Sequence, residues 1–207
     1  VVEPVFSDPD GTREQILAAT YRVLCDQGYA NLTISAIGEE FEKSPSLVYQ
    51  HYDSKDDLVL ECLEFLLDHF EGKLKHDGID DPSDQLEEVL DWWFTPAVDD
   101  KRMAFVSAMF ELRIQAIHDP AFQEHFTRSD RLFGESIATG IRAGIDAGDF
   151  PECDPDAVAE TIQSTIIGAG LRRSSTDSDE WLGQVHDELE KYLQIRVCAE
   201  RDGDFEE

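Results

Sequence analysis

The sequence predicts an all-α protein of about nine helices: a three-helix helix-turn-helix head followed by a larger helical body. Two observations carry the fold class. Apolar residues recur at three- and four-residue spacing along most of the chain, and Ser, Asp, Gly and Pro punctuate that pattern into helix-sized segments. No strand candidate or internal repeat competes with it.

The opening VVEPVFSDPD reads as a flexible acidic arm, residues 1–11. The first helix starts at Thr12, where Gln15 completes a capping box, and buries Ile16, Ala19 and Val23 flanked by Leu17 and Leu24. Gly28 is placed to end it in a left-handed C-cap. Thr33 caps a short helix whose Ile34, Ile37 and Phe41 make one apolar stripe. Ser44-Pro45 opens the next, since proline at the first helical position sacrifices no hydrogen bond. Val48 and Tyr52 face inward there, while Pro45, Ser46, Leu47, Tyr49 and Gln50 crowd its start and outer side. Ser54-Lys55-Asp56-Asp57 is a capping box for a helix from Lys55 to about Leu74, with Leu58, Cys62, Phe65, Leu66 and Phe70 apolar. A head of about 45 residues buries little surface alone, so it depends on this helix. The expected domains are 12–54 (head), 55–200 (body) and 201–207 (flexible tail).

In the body, HDGIDDPS at 76–83 is a break. A helix follows from about Asp84 to Phe94, with Leu86, Leu90 and Trp93 inward and Trp92 beside them. Lys101 to His118 is helical and opens on the apolar MAFVSAMF. Asp119-Pro120 stops it, and a helix from about Ala121 to Ala147 turns Phe122, Phe126, Leu132, Phe133, Ile137 and Ile141 inward. Gly148 and Pro151 mark a turn. Val158, Ile162, Thr165, Ile166 and Ala169 define a helix reaching about Arg173, and Trp181 to Val197 is the last.

Charge is the outlying property: 46 acidic residues against 17 basic, a formal charge of −29. Such an excess ordinarily argues against nucleic acid, because phosphates need positive partners. Hydrophobic residues at 41% exclude a disordered acidic chain. The acid is spread along the sequence, which points to adaptation to molar cytoplasmic salt and a halophilic source. Cys25, Cys62, Cys153 and Cys198 form no C-x-x-C pair, and small buried hydrophobes account for Cys25 and Cys62. Without a signal peptide or long apolar span, the expectation is a cytoplasmic protein with no membrane partner. The six histidines make no HExxH or zinc spacing, and the glycines make no P-loop. An enzyme, a metal and a cofactor are therefore not expected.

A short helix, a corner and a second helix with an exposed N-terminal half is how a helix-turn-helix presents residues to the DNA major groove. At this point the chain resembles the TetR family of transcriptional regulators. The head carries the likeness in TREQILAAT, QGYANLTISAIGEEF and SPSLVYQHYDSKDDL, the last most specifically through Tyr49, Gln50, His51, Tyr52, Ser54 and Lys55. The body carries it in DPAF, IRAGIDAGDFPECDPDAVAETIQSTIIGAG and the tryptophan-led last helix. Three features depart from the family pattern: Glu42-Lys43 at the corner, Pro45 opening the recognition helix, and Ala36 after Thr33.

The resemblance implies a homodimer reading a palindromic operator on double-stranded DNA, with phosphate contacts at positions matching Thr33 and Lys55. The DNA-facing set is Thr33, Ser44, Pro45, Ser46, Leu47, Tyr49, Gln50, His51 and Lys55. Leu47 either meets a thymine methyl or tucks into the head. Tyr49 points outward beside inward Val48 and can donate to phosphate. Gln50 is either surface or base-reading, and His51 is a half-buried structural histidine within reach of phosphate. The family implies dimerisation through the last two long helices, about 155–173 and 181–197. Gly168 and Gly170 permit close helix approach there. A small, predominantly apolar effector would meet Phe65, Trp92, Trp93, Met103, Val106, Met109, Phe110 and Arg113. Most of these serve equally as plain core. Glu111 and Arg113, ionised beside an apolar run, imply a pair, an exposed face or a polar feature in a cavity. The expected function is a ligand-released repressor. The alternative is a helical dimer that acts through protein contacts or ligand sequestration, favoured by the four basic against eleven acidic residues in positions 1–60, a net −7.

Overall fold

The structure is a computed structural model and describes residues 3–41, 45–76, 82–95 and 100–197. Among these residues are nine α-helices, one 3-10 turn and no strand. The helices are α1 (Gly11–Asn31), α2 (Ile34–Glu40), α3 (Pro45–Val48), α4 (Lys55–His76), α5 (Pro82–Phe94), α6 (Asp100–Gln115), α7 (Pro120–Ala147), α8 (Pro155–Ser175) and α9 (Leu182–Arg196). The expected tail, residues 201–207, lies outside the described residues. The chain gathers into two compact units: Val1–His76 with Asp99–Ser129, and Asp77–Val98 with Asp130–Glu207.

The first unit is built around α1, which packs on α2, α4 and α6. Being covered on several sides, α1 is buried continuously from Ile16 to Thr20 rather than along one stripe. Thr20 Oγ1 donates to Ile16 O at 2.8 Å, which satisfies its buried hydroxyl. The Asp10 N–H donates to Glu14 Oε2 at 2.8 Å, so the cap forms here and not between Thr12 and Gln15. Gly11, at φ 77°, supplies the backbone turn that allows the earlier start. Gly28 does break α1, but its φ of 72° with ψ of 165° is a glycine-only positive-φ conformation outside the αL well of a left-handed cap. Residues 3–6, expected within a flexible arm, instead form the 3-10 turn because Phe6 has a place to bury. Its ring stacks on Phe65 (centroids 5.5 Å apart) and leans on Tyr21 (5.5 Å), which meets Phe105 at 5.8 Å. Burial on this scale contributes about 2 kcal/mol.

Between α4 and α7, Arg128 gathers Glu64, Asp68 (2.6 Å) and Glu71 (3.0 Å), and buried His125 sits 2.8 Å from Glu64. Asp119 starts α7 by accepting the Ala121 N–H at 2.8 Å, which is why α6 ends before His118. α7 contributes Phe122, Phe126 and Ser129 to the first unit and Ile137, Ala138 and Ile141 to the second. Phe133, expected inward, is exposed where α7 passes from one unit to the other.

In the second unit, Leu86, Leu90 and Phe94 of α5 join Ile141, Phe150, Val158, Ile162, Ile166, Leu182, Leu189 and Leu193 in one core. Asp154 caps α8 by accepting the Asp156 and Ala157 N–H groups, both at 3.2 Å, with Pro155 at the first helical position. Phe150 lies so close over Gly144 that a Cβ there would stand 2.2 Å from its ring.

Candidate nucleic-acid interface

The head presents its outer face through three helices. Thr33 caps α2, its hydroxyl accepting the Ala36 N–H at 3.1 Å, and remains exposed. Phe41 is buried at the end of α2; Ser44 falls outside the described residues. Pro45 opens α3, a helix of four residues whose bonding relaxes into turns. Gln50, His51 and Tyr52 donate to Leu47, Val48 and Val48 carbonyls at 3.0–3.2 Å. Val48 and Tyr52 anchor this segment inward, at 0% and 6% exposure, which turns Tyr49 out at 58%. Ser46 and Gln50 are exposed beside it. Leu47 is half-buried and packs against the head core with part of its side chain still open. His51 is exposed rather than half-buried, because the turn after Val48 swings it outward, its ring 6.4 Å from that of Tyr52.

Lys55 is engaged inside the head. Its Nζ donates to Tyr29 O at 3.1 Å and lies 4.2 Å from the Tyr29 ring centroid. The Tyr29 hydroxyl donates to Asp56 at 2.6 Å, and burial first, then Asp56, pushes its phenol up from the ordinary value. Ser54 accepts the Asp57 N–H at 3.1 Å and donates to its carboxylate at 2.7 Å, closing the box at the start of α4. The head arginines are paired as well: Arg13 with Glu61, and Arg22 with Glu40 at 2.5 Å. Sequence reasoning missed Tyr29 and Asp56; the one signal available was the Gly28-Tyr29 pair.

The residues expected to meet ligand divide between the units. In the first, Val106 and Phe110 are buried, Met103 is half-buried, and Met109 and Phe65 pack against the head core. Arg113 lies over the Phe126 ring at 4.6 Å. In the second, Trp92 and Trp93 meet edge to face at 4.6 Å, and Trp93 packs on that unit's core. A cleft of about 390 Å³ at the α8–α9 corner is lined by Arg172, Thr176, Ser178, Glu180, Trp181 and Gln184, none of them in the expected set. Among the described residues no helix is long and apolar enough to cross a membrane.

The sequence model for the C-terminal part of BetI-type transcriptional repressors matches residues 82–195, more than half the chain, and that of the bacterial regulatory proteins of the tetR family matches 16–62. The chain belongs to the TetR family. It is a ligand-responsive, DNA-binding transcriptional repressor, and its relatives are regulators rather than enzymes. The regulator HbdR of Aromatoleum sp. (strain CIB) is 30% identical over 149 residues, covering 69% of this chain and 65% of HbdR. The repressor AcnR of Corynebacterium glutamicum is 23% identical over 189 residues, 91% of this chain and 95% of that one. Among solved structures, a TetR transcription regulator from Haloarcula marismortui has a TM-score of 0.77 at 32% identity, covering 89% of this chain and 97% of that one. A Saccharomonospora viridis regulator crystallised with choline shares the fold, with a TM-score of 0.73 at 21% identity over 89% of this chain and 96% of that one. TetR proteins bind operator DNA as dimers and respond to small molecules.

Proposed function

We propose that this TetR protein represses a palindromic operator as a two-fold dimer, with a DNA-binding domain at 12–54 and a ligand-binding and dimerisation domain at 55–200. Each α3 enters the major groove of one half-site. The observation that carries this is Tyr49: a 58% exposed aromatic held outward by fully buried Val48 on the same short helix. Tyr49 and Thr33 meet phosphate, Ser46 and Gln50 reach base edges with Leu47 as apolar support, and Ser44, Pro45 and His51 flank them. Lys55 acts through the backbone at the start of α4, its ammonium being turned to Tyr29.

Dimerisation through about 155–173 and 181–197 is supported by the outward side of α8. In a chain this acidic, Thr161, Ser164, Thr165, Gly168 and Leu171 form a run free of charge, and a Cβ at Gly168 would meet nothing within 4 Å. The effector is small and predominantly apolar and bears on α6, whose Met103, Val106, Met109, Phe110 and Arg113 it would shift. The protein works in a salt-rich cytoplasm, a reading its charge supports.

Selection of bound fragments from random and genomic duplex DNA at about 2 M KCl, followed by footprinting, tests the operator reading. The expected result is two protected half-sites related by a dyad, about one helical turn or more apart. A folded dimer that selects no duplex at any salt concentration overturns it. Repeating the selection with a metabolite library, choline included because the S. viridis protein holds it, identifies what releases the DNA.

A further inference from the structure

Glu111 is an exposed residue between buried Phe110 and buried Leu112 on α6, so it sits at the edge of the face that packs on α1. Its carboxylate folds over the corner where α1 gives way to the helix-turn-helix. Oε2 accepts the Tyr29 N–H at 2.6 Å, and both oxygens lie within 3.0 Å of where a Gly28 Cβ would be. Glycine at this position therefore answers two needs, the φ of 72° and the space for the carboxylate. The same break takes the Tyr29 N–H out of the helical ladder, leaving it to an outside acceptor. On the other side of Tyr29, its carbonyl takes Lys55 Nζ at 3.1 Å and its hydroxyl donates to Asp56 at 2.6 Å. Its ring meets Phe122 edge-on at 6.0 Å. One residue thus ties together the end of α1, the start of α4, α6 and the start of α7.

We infer that Glu111 is a positioning residue for operator binding: through the Tyr29 N–H, α6 sets the direction in which α2 and α3 leave α1. This rests on the DNA-binding reading above and adds to it the point where α6 acts on the head. The hydrogen bond is short and directional, so a shift of α6 by about 1 Å breaks it while the apolar α1–α6 packing adjusts. The head then keeps its fold but loses its bearing.

Three variants separate geometry from charge. Glu111→Ala removes the acceptor, Glu111→Asp keeps the charge but withdraws it by one methylene, and Glu111→Gln keeps an oxygen at the same reach without the charge. Affinity is measured for a duplex of about 30 bp selected by the wild-type protein at about 2 M KCl. Amide hydrogen exchange is followed at Tyr29 and at Cys62 and Leu63 in the α4 core. Glu111→Ala and Glu111→Asp are expected to weaken binding about tenfold and to speed exchange at Tyr29, with Cys62 and Leu63 unchanged; Glu111→Gln stays within about threefold of wild type. Wild-type affinity in Glu111→Ala overturns the inference. So does the reverse order, with Asp binding well and Gln poorly. Faster exchange at Cys62 and Leu63 with unchanged affinity per folded molecule makes Glu111 a stabilising residue only and also overturns it. If the wild-type protein selects no duplex, the operator reading falls and takes this inference with it, an outcome told apart by the wild-type control.

Discussion

The salt dependence of operator binding follows from how the head spends its positive charge. Arg13 and Arg22 are held by Glu61 and Glu40, and Lys55 donates to Tyr29 O. Even if DNA drew two of these cations per subunit onto phosphate, a dimer would neutralise about four phosphates, and log K would fall with log[KCl] at a slope no steeper than about −4. A basic regulator making eight to ten contacts gives about −7 to −9. The net −7 over residues 1–60 of each subunit flattens the curve further. That repulsion reaches about 10 Å at 0.1 M salt but only about 3 Å at 1 M, so affinity can pass through a maximum as KCl rises. Fluorescence anisotropy with a selected duplex from about 0.2 to 3 M KCl measures the slope, with far-UV circular dichroism at every point to confirm that the protein is folded. A slope of about −6 or steeper in the folded dimer refutes the reasoning, because more cations would then reach phosphate than the pairings of Arg13, Arg22 and Lys55 allow.

Tyr49→Phe lowers affinity by roughly three- to tenfold across many duplexes, whereas Leu47→Ala alters preference at particular bases and costs about 1 kcal/mol of stability, read by repeat selections and thermal melts. Gly144→Ala destabilises by about 2 kcal/mol or more because the new Cβ meets Phe150 at 2.2 Å; adding Phe150→Leu recovers part of the melting temperature. Gly168→Leu weakens self-association in sedimentation at molar salt, since the site is open in one subunit and filled in the proposed pair. Burial pushes the Cys25 thiol up to about 11, so it reacts slowly with disulfide reagents near pH 8 in the folded state. Between pH 9 and 11 the unfolded chain gives up that proton first, and stability falls as pH rises, as denaturant titrations across that range would record.

Helix positions were legible because local rules govern them: the Thr33 cap, the Ser54–Asp57 box and the stripe of Ile34, Ile37 and Phe41 all form as spelled. What escaped depends on partners distant in sequence. Phe6 looked like part of a free arm because Tyr21 and Phe65 lie far along the chain. Phe133 fits the apolar stripe of α7, yet it is exposed four residues past Ser129, where the first unit ends. At the interface, spacing showed that Tyr49 points outward, but nothing local told where Lys55 directs its ammonium. That was set by a carbonyl 26 residues upstream.

The buried Phe6 bears on how the protein is handled. Its ring joins Phe65 to Tyr21 in an aromatic row that ends at Phe105, so the turn at residues 3–6 is a structural component of the first unit. Loss of Phe6 would uncover the surface that Tyr21 of α1 and Phe65 of α4 share. Functional comparisons between preparations are therefore sound only when all of them retain residues 3–6.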